Sequence, residues 1–313
     1  MTRAVCGRVL TLAALLLAAA CGGDPVAPDV APTVTVSSGG GAASVTAGST
    51  LPLSVRVTDK RAQVVTSPPV VWSSSTPTVA VVSPDGIVTA TTVGSTTISA
   101  TSLGVTGTTT VTVTPGAPAK LVVRTQPVDV ASGLSFSTAP VVEVRDALDN
   151  LVTTASVVVS VSFATGVGTI GGVTSVTSVQ GLATFSLLVI SGPIGPHSLS
   201  FSATGLTPVN TAAFSLSAGP AASLAFRLSP AGGGLNAPFI TQPVIDVIDN
   251  AGNLATNAAV TVTASIVTGG GALTGASVQA TNGVATFTNF GITGNGGSRA
   301  VSFSAPGLLP LPI

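Results

Sequence analysis

The sequence predicts an all-β protein built from tandem β-sandwiches. Three observations lead to this prediction: a composition rich in Val, Thr, Ser, Ala and Gly, short stretches of alternating apolar and polar residues, and a segment that occurs twice. β-Branched residues with many glycines and prolines favour strands and tight turns over helices. Residues 140–153 read PVVEVRDALDNLVT, and residues 243–256 read PVIDVIDNAGNLAT. Their offset of 103 residues is that of a whole domain, so we expect a row of domains.

The composition argues against several classes of function. Charged residues make up 6% of the chain, against roughly 25% in an ordinary soluble protein. Without clusters of Lys and Arg, we expect no nucleic-acid partner. The mean hydropathy of +0.70 comes from short stretches. The one long apolar run, Val9–Ala20, is too short to span a bilayer.

Residues 1–20 have the pattern of a secretory signal peptide. Arg3 and Arg8 supply the positive region, and Val9–Leu17 supply the apolar region. The run ends in small residues directly before Cys21, which resembles the lipobox of bacterial lipoproteins. The resemblance implies that a lipid on Cys21 anchors the protein in a membrane of the cell envelope, at the outer membrane or cell surface. The alternative is an ordinary cleavage site with an incidental cysteine.

Processing at this site would leave a tethered chain without disulfides. Cys6 leaves with the signal and Cys21 is acylated. Removal of Arg3 and Arg8 leaves eight basic against ten acidic side chains, a formal charge of −2. Residues 21–32 hold the lipidated cysteine and the segment GGDPVAPDVAP, a Pro- and Gly-rich tether. If extended, this tether lifts the first domain roughly 30 Å from the membrane.

Residues 33–114 are predicted to form the first sandwich, with about seven short strands. The middle of this segment carries VWSSS from Val71, PTVAVV from Pro77, DG from Asp85 and GSTTISA from Gly94. These motifs resemble the group-two bacterial Ig-like family over the whole domain. Trp72, the single tryptophan, is expected to fill the core between the two sheets. A platform for stacking a sugar is the alternative.

Residues 115–218 and 219–313 are the two copies of the repeat. The phenylalanines at matched strand positions indicate a shared core: Phe136, Phe185 and Phe201 in one copy, Phe239, Phe287 and Phe303 in the other. The shared run around PVVEVRD and GLATF resembles the invasin- and intimin-type (group-one) Ig-like repeats of bacterial surface proteins.

The two copies differ at their ends. The first closes with Thr211–Ser217, which fits a last strand. The second ends in Leu309–Ile313, and the two prolines in this segment rule out a central strand. We therefore expect the last domain to lack its closing strand. Either the array continues beyond Ile313, the interpretation we favour, or the open edge takes a strand from elsewhere.

Acidic side chains concentrate in the repeated turn, which raises the question of calcium. The candidates are Glu143, Asp146, Asp149, Asp246 and Asp249. Calcium needs six to eight oxygens, so each turn could supply only part of a site. The alternative, which we favour, is that Asp and Asn cap the turn and that Asn or Gly takes the left-handed position. Gly252 replaces Asp149 in the second copy, so we predict no metal site and no cofactor.

Catalytic residues are not predicted. His197 is the single histidine and has no acidic neighbour in the sequence, and Glu143 is the single glutamate. A nucleophile would need a base held by a third group. The sequence therefore predicts a non-enzymatic cell-surface lipoprotein with a structural spacer or adhesion role, which the resembled families imply. The alternative is a carbohydrate- or protein-binding module of the cell envelope, with a surface glycan or protein as partner.

Overall fold

The computed structural model describes residues 30–40, 42–234 and 236–312. Regular structure in these ranges is β-strand throughout, arranged in sheets that form three consecutive sandwiches, so the predicted fold class is confirmed. The signal peptide, Cys21 and most of the tether lie outside the described residues. Among the residues described, no helix is long and apolar enough to cross a membrane.

The first sandwich packs two layers of strands around a core of Val, Ile, Leu and Ala. Its strands are β1 (Thr33–Ser37), β2 (Ala43–Thr46), β3 (Thr50–Pro52), β4 (Ser54–Thr58), β5 (Val71–Ser74), β6 (Ala80–Val82), β7 (Ile87–Ala90), β8 (Gly94–Ser102) and β9 (Val105–Thr114). One layer has the order β2-β9-β8-β5, with β2 parallel to β9. The other joins β1-β4 to β3-β7-β6, because only Leu53 separates β3 from β4.

The first repeat is the second sandwich. Its strands are β10 (Lys120–Thr125), β11 (Val130–Ala131), β12 (Val141–Arg145), β13 (Val158–Thr165), β14 (Thr169–Gly172), β15 (Ser175–Thr177), β16 (Leu182–Thr184), β17 (Leu188–Ser191), β18 (Gly195–Ser202), β19 (Val209–Asn210) and β20 (Phe214–Ser217). One sheet is β10-β12-β16, and the facing sheet has the order β11-β20-β18-β13-β15 with β19 beside β18. The short pair β14-β17 completes the domain.

The second repeat is the third sandwich and follows the same plan. Its strands are β21 (Ser223–Leu228), β22 (Ala231–Gly233), β23 (Phe239–Thr241), β24 (Val244–Ile248), β25 (Thr261–Thr268), β26 (Ala272–Thr274), β27 (Ser277–Gln279), β28 (Val284–Thr286), β29 (Gly291–Thr293), β30 (Ala300–Ser304) and β31 (Leu311–Pro312). The sheets are β21-β24-β28 and β27-β25-β30-β31, with the pairs β22-β23 and β26-β29 beside them.

The matched phenylalanines lie at matched places in the two cores. Phe185 and Phe201 are fully buried with ring centroids 4.8 Å apart, and their counterparts Phe287 and Phe303 are 5.4 Å apart. Each such buried ring contributes about 1.5–3 kcal/mol relative to an exposed one. None of the ten phenylalanines is exposed.

Trp72 packs against the core of the first sandwich but is half-buried, so it covers one side of that core rather than filling its centre. Gly86 explains this position. A Cβ atom on Gly86 would lie 2.8 Å from Cζ2 of the indole ring, so the ring rests directly on the glycine backbone of the β6–β7 turn.

Candidate functional site: the Asp–Asn turns at the domain junctions

The repeated segment forms a closed turn in each repeat domain, directly after β12 in the first and directly after β24 in the second. In the first copy, Oδ1 of Asp146 accepts the backbone N–H groups of Leu148 (2.9 Å) and Asn150 (2.9 Å). The backbone N–H of Asp146 donates to the carbonyl oxygen of Asn150 (2.9 Å). The residue before the asparagine, Asp149, has a left-handed backbone with φ of 69°.

The second copy repeats this geometry. Oδ1 of Asp249 accepts the N–H groups of Ala251 (2.9 Å) and Asn253 (2.8 Å). Gly252 takes the left-handed position with φ of 83°. The expectation that the aspartates cap the turn is therefore correct, but the left-handed position of the first copy is taken by Asp149 and not by an asparagine. The left-handed residue is the Asp or Gly that precedes the asparagine, which leaves the asparagine side chain available for other contacts.

The second carboxylate oxygen of each aspartate holds the linker that enters the domain. Oδ2 of Asp146 accepts the N–H of Gly116 (2.8 Å), and Oδ2 of Asp249 accepts the N–H of Gly219 (2.7 Å). The side-chain amides of Asn150 and Asn253 also donate to these oxygens, at 3.0 and 2.9 Å. Each buried aspartate thus fixes both its own turn and the backbone of the preceding linker.

The two asparagines also bind the preceding domain. Nδ2 of Asn150 donates to the carbonyl oxygen of Thr91 (3.1 Å), and its Oδ1 accepts the N–H of Val93 (3.0 Å). Both atoms belong to the loop between β7 and β8 of the first domain. The side-chain amide thus donates to one backbone carbonyl and accepts from the backbone N–H two residues later. A strand residue makes the same pair of bonds to its neighbour in a β-sheet.

Asn253 makes the same pair of bonds at the next boundary. Its Nδ2 donates to the carbonyl oxygen of Gly192 (2.9 Å), and its Oδ1 accepts the N–H of Ile194 (3.2 Å) in the β17–β18 loop. We call each set of linker glycine, aspartate and asparagine a junction clamp. The first clamp is Gly116, Asp146 and Asn150, and the second is Gly219, Asp249 and Asn253.

Hydrogen bonding keeps both aspartates ionised. Burial of Asp146 opposes the charge, but hydrogen bonds from Gly116, Asn150 and Leu148 outweigh it and hold the pKa of that carboxyl below its ordinary value. At Asp249, burial is likewise outweighed by the bonds from Asn253, Gly219 and Ala251, so that its pKa is also lowered. A charged acceptor strengthens each of these hydrogen bonds.

The other acidic candidates form ion pairs. Glu143 lies 2.5 Å from Arg145 and 3.3 Å from Arg124, and Asp149 lies 2.8 Å from Lys120. In the second copy, Asp246 lies 2.9 Å from Arg227. Across the described ranges, no three His, Cys, Asp or Glu side chains are grouped so that they could hold a metal ion.

His197 is 3% exposed and lies between aromatic rings of the first repeat. Its Nδ1 is 3.0 Å from the carbonyl oxygen of Gly195, and its Nε2 is 3.3 Å from that of Val167. Both ring nitrogens therefore face backbone carbonyl groups, an arrangement that links the start of β18 to the β13–β14 loop and does not fit a general base oriented by a carboxylate.

The first domain contains a third turn of this kind. Oδ1 of Asp59 accepts the N–H groups of Arg61 (2.8 Å) and Gln63 (3.0 Å), and Ala62 has the left-handed φ of 58°. Gln63 stands where the repeats have asparagine, and it is exposed. The turn is thus common to all three sandwiches, whereas the asparagine contacts belong to the two boundaries between described domains.

Comparison with known proteins gives the domain type. Residues 30–113 match the family model described as bacterial Ig-like domain (group 2). The first domain is therefore similar to group-two bacterial Ig-like domains, as its motifs predicted. Residues 116–218 match the model described as SMCHD1 Ig-like domain 6, which confirms an Ig-like domain in the first repeat. Among curated proteins, none matches the chain.

Several solved structures are similar in fold. The Escherichia coli adhesin FdeC is 18% identical with a TM-score of 0.40, and the match covers 91% of this chain and 96% of that one. Invasin, described as a bacterial integrin-binding protein, is 17% identical with a TM-score of 0.32, covering 87% and 56%. Domains 4–9 of the surface layer protein SbsC are 18% identical with a TM-score of 0.29, covering 91% of this chain and 47% of that fragment.

Proposed function

We propose that this chain is a non-enzymatic cell-surface protein whose tandem Ig-like domains form a spacer with fixed junctions, in a structural or adhesive role. The observation that carries the proposal is the recurrence of the junction clamp. Domains joined by short linkers move relative to each other unless their interface holds them. Here each boundary has its own glycine, aspartate and asparagine in the same arrangement. The aspartate fixes the linker glycine, and the asparagine binds the preceding domain.

The energy of a clamp is suited to this role. Each of the two asparagine bonds to the preceding domain contributes about 0.5–1.5 kcal/mol, and the bond from the linker glycine to a charged aspartate contributes about 1.5–3 kcal/mol. The two asparagine bonds together, about 1–3 kcal/mol, favour the docked orientation by roughly 5- to 150-fold, while the glycine bond fixes the linker to the domain that follows it. A spacer needs such a bias because force or thermal motion would otherwise bend the row at its linkers.

The surroundings of the aromatic and titratable side chains support a role without catalysis. The phenylalanines are buried or half-buried, so they do not form the exposed aromatic platform of a typical glycan-binding module. His197 contacts carbonyl groups, Asp129 accepts the backbone N–H of Ser215, and the other acidic side chains of the repeats are engaged in turns or ion pairs. These contacts stabilise the sandwiches and their junctions.

The spacer is tested by small-angle X-ray scattering of the full chain carrying Cys21→Ser, which removes the proposed lipid. We expect a narrow, elongated distance distribution. Combining Asn150→Ala with Asn253→Ala should broaden it and lower the mean end-to-end distance. Gln63→Ala is the control, because Gln63 has the same turn position but is exposed. An unchanged distribution in the double variant would contradict the proposal.

The anchor at Cys21 is proposed from the signal pattern and concerns a part of the chain outside the described residues. Mass spectrometry of the mature protein should find a diacyl or triacyl modification on Cys21. The Cys21→Ser variant should leave the membrane fraction, and surface labelling of intact cells should reach the wild-type protein. A wild type without lipid mass, or a variant that still sediments with membranes, would show that the anchor is wrong.

A further inference from the structure

The turns that carry the two junction clamps are held to their own domains to different degrees. In the first repeat, Nζ of Lys120 lies 2.8 Å from a carboxylate oxygen of Asp149. The guanidinium group of Arg145 donates to the backbone carbonyl oxygen of Asp149 (2.8 Å) and is itself paired with Glu143. Side chains of β10 and β12 therefore brace the turn of the first clamp.

The second repeat has uncharged residues at the three corresponding positions. Strand register and the matched turn sequences give the counterparts of Lys120, Arg145 and Asp149 as Ser223, Ile248 and Gly252. None of these three side chains can form an ion pair. The turn of the second clamp is closed by the hydrogen bonds of Asp249 and has no ionic brace of this kind.

An apolar contact across the boundary also differs between the junctions. Cδ1 of Leu148, in the first turn, lies 3.6 Å from the position that a Cβ atom on Gly48 would take. Gly48 belongs to the β2–β3 loop, so Leu148 rests on the preceding domain. In the second turn the matched residue is Ala251. A Cβ on Gly133 would meet no atom of the described residues within 4 Å.

Gly133 is the counterpart of Gly48 by its place in the fold. Each of these glycines stands two residues after the short strand, β2 or β11, that pairs in parallel with the last strand of its domain. The first junction therefore has a leucine side chain on this loop, and the second junction has none.

The second linker, by contrast, lies closer to the preceding domain than the first. A Cβ on Gly219 would overlap the backbone oxygen of Ser132, whereas a Cβ on Gly116 would lie 3.6 Å from that of Ala47. This approach fixes where the second linker lies, but it does not replace the side-chain contacts of the first turn. The second junction can therefore pivot at Gly219 without separation of the two domains.

We propose that the second junction is the hinge of the row, so that its clamp opens before the first clamp under thermal motion or load. The inference rests on the proposed spacer function, because it ranks two clamps that the spacer requires. A turn that is braced before docking loses less conformational freedom when its asparagine binds the preceding domain. Asn253 makes the same two bonds as Asn150 from an unbraced turn, so it dissociates more often. The first two domains then move as one arm, and the third swings at its end.

Two matched amides report the opening of the clamps. The N–H of Val93 donates to Asn150, and the N–H of Ile194 donates to Asn253. In native-state hydrogen exchange of the full chain carrying Cys21→Ser, the opening constant at Ile194 should be about ten-fold larger than at Val93. Each rate is first corrected for the intrinsic exchange rate of its amide. Equal constants, or a larger constant at Val93, would overturn the hinge. The spacer would fail only if both amides exchanged without protection.

Transfer of the brace to the second turn separates its effect from other differences between the boundaries. The variant carries Ser223→Lys, Ala251→Leu and Gly252→Asp. The left-handed position accepts an aspartate, because Asp149 occupies it in the first copy. The opening constant at Ile194 should fall about ten-fold while that at Val93 stays unchanged. An unchanged constant at Ile194 in a folded variant would overturn the hinge.

The reverse variant removes the brace from the first turn. Leu148→Ala with Asp149→Gly gives this turn the residues of the second one, and glycine fits the left-handed φ of 69°. The opening constant at Val93 should rise about ten-fold towards that at Ile194, which serves as the internal control. A constant at Val93 that does not rise would contradict the proposal.

Distances between domains test the motion itself. Ser73, Ser175 and Ser277 are exposed, one in each domain. Spin labels on cysteines at the first two positions span the first junction, and labels at the last two span the second, in a chain carrying Cys6→Ser and Cys21→Ser. Double electron–electron resonance should give a broader distance distribution across the second junction. Equal widths would overturn the hinge. Two narrow distributions would leave the spacer standing, whereas two broad ones would remove both proposals.

Discussion

The side-chain carbonyl oxygen of Asn150 accepts a hydrogen bond from the backbone N–H of Val93 across the boundary between the first and second domains (3.0 Å). The partner of Asn150 is a backbone group, so this contact requires the fold of the first domain but no particular side chain there. The same relationship between Asn253 and Ile194 joins the second and third domains. One turn sequence can thus join each domain to a predecessor with a different loop sequence.

Replacing Asn150 with alanine should expose the amide of Val93 to exchange. The variant removes the acceptor of that N–H and the donor to Thr91, so the junction loses two bonds of about 0.5–1.5 kcal/mol each. We expect hydrogen exchange at Val93 to accelerate at least five-fold while the cores of both domains keep their protection. The amide of Ile194 serves as the internal control, because its acceptor, Asn253, is unchanged. Faster exchange at both amides would indicate general destabilisation instead.

The linker glycines should differ in their tolerance of alanine. A Cβ on Gly219 would overlap the backbone oxygen of Ser132, whereas the nearest atom to a Cβ on Gly116 is a side-chain oxygen of Asp146 at 3.3 Å. We expect Gly219→Ala to weaken the junction by about 1–3 kcal/mol, since overpacking forces the backbone to shift. Gly116→Ala should cost less than about 1 kcal/mol. Denaturant unfolding and the exchange rate at Ile194 measure the difference, and equal effects of the two variants would contradict it.

Acid should open both junction clamps. The pKa values of Asp146 and Asp249 are lowered in the folded protein, so these carboxylates stabilise it above the ordinary carboxyl pKa of about 3.9. That contribution is lost as the pH falls below about 4 and through the lowered values. The amide resonances of Gly116 and Gly219, which donate to these carboxylates, should report the titration.

A matched pair of variants tests this pH dependence. Asp146→Asn removes the charge, so the resonance of Gly116 should lose its titration while that of Gly219 keeps it. Asp85→Asn changes an exposed turn and should alter neither. Titration of Gly116 that persists in the Asp146→Asn variant would show that another group is responsible.

The cores and the turns could be predicted from the sequence, because the side chains that form them are of recognisable types and recur at matched positions. Matched phenylalanines such as Phe201 and Phe303 mark the same buried position in two copies of one fold, and both are fully buried. The asparagine contacts were missed because their partners are backbone groups of loops with different sequences, residues 91–93 and 192–194. The one available signal was that Asn150 recurs as Asn253 although the residue before it changes from Asp to Gly.

Alanine at Gly86 should destabilise the first domain through the single tryptophan. The added Cβ would lie 2.8 Å from Cζ2 of Trp72 and 3.1 Å from the carbonyl oxygen of Leu53, at a φ of +78°. Gly104 is the matched control, because its φ is +75° but a Cβ there meets nothing within 4 Å. Gly104→Ala should therefore cost only the backbone strain, about 1–2 kcal/mol.

The clash with Trp72 should add about 1–3 kcal/mol to that strain in Gly86→Ala. Because Trp72 is the only tryptophan, its fluorescence reports the unfolding of the first domain alone. Equal midpoints of denaturation for Gly86→Ala and Gly104→Ala would show that the indole ring moves away at no cost. A lower midpoint for Gly86→Ala, together with a red-shifted emission in the folded state, would show that the ring is held between Gly86 and the core.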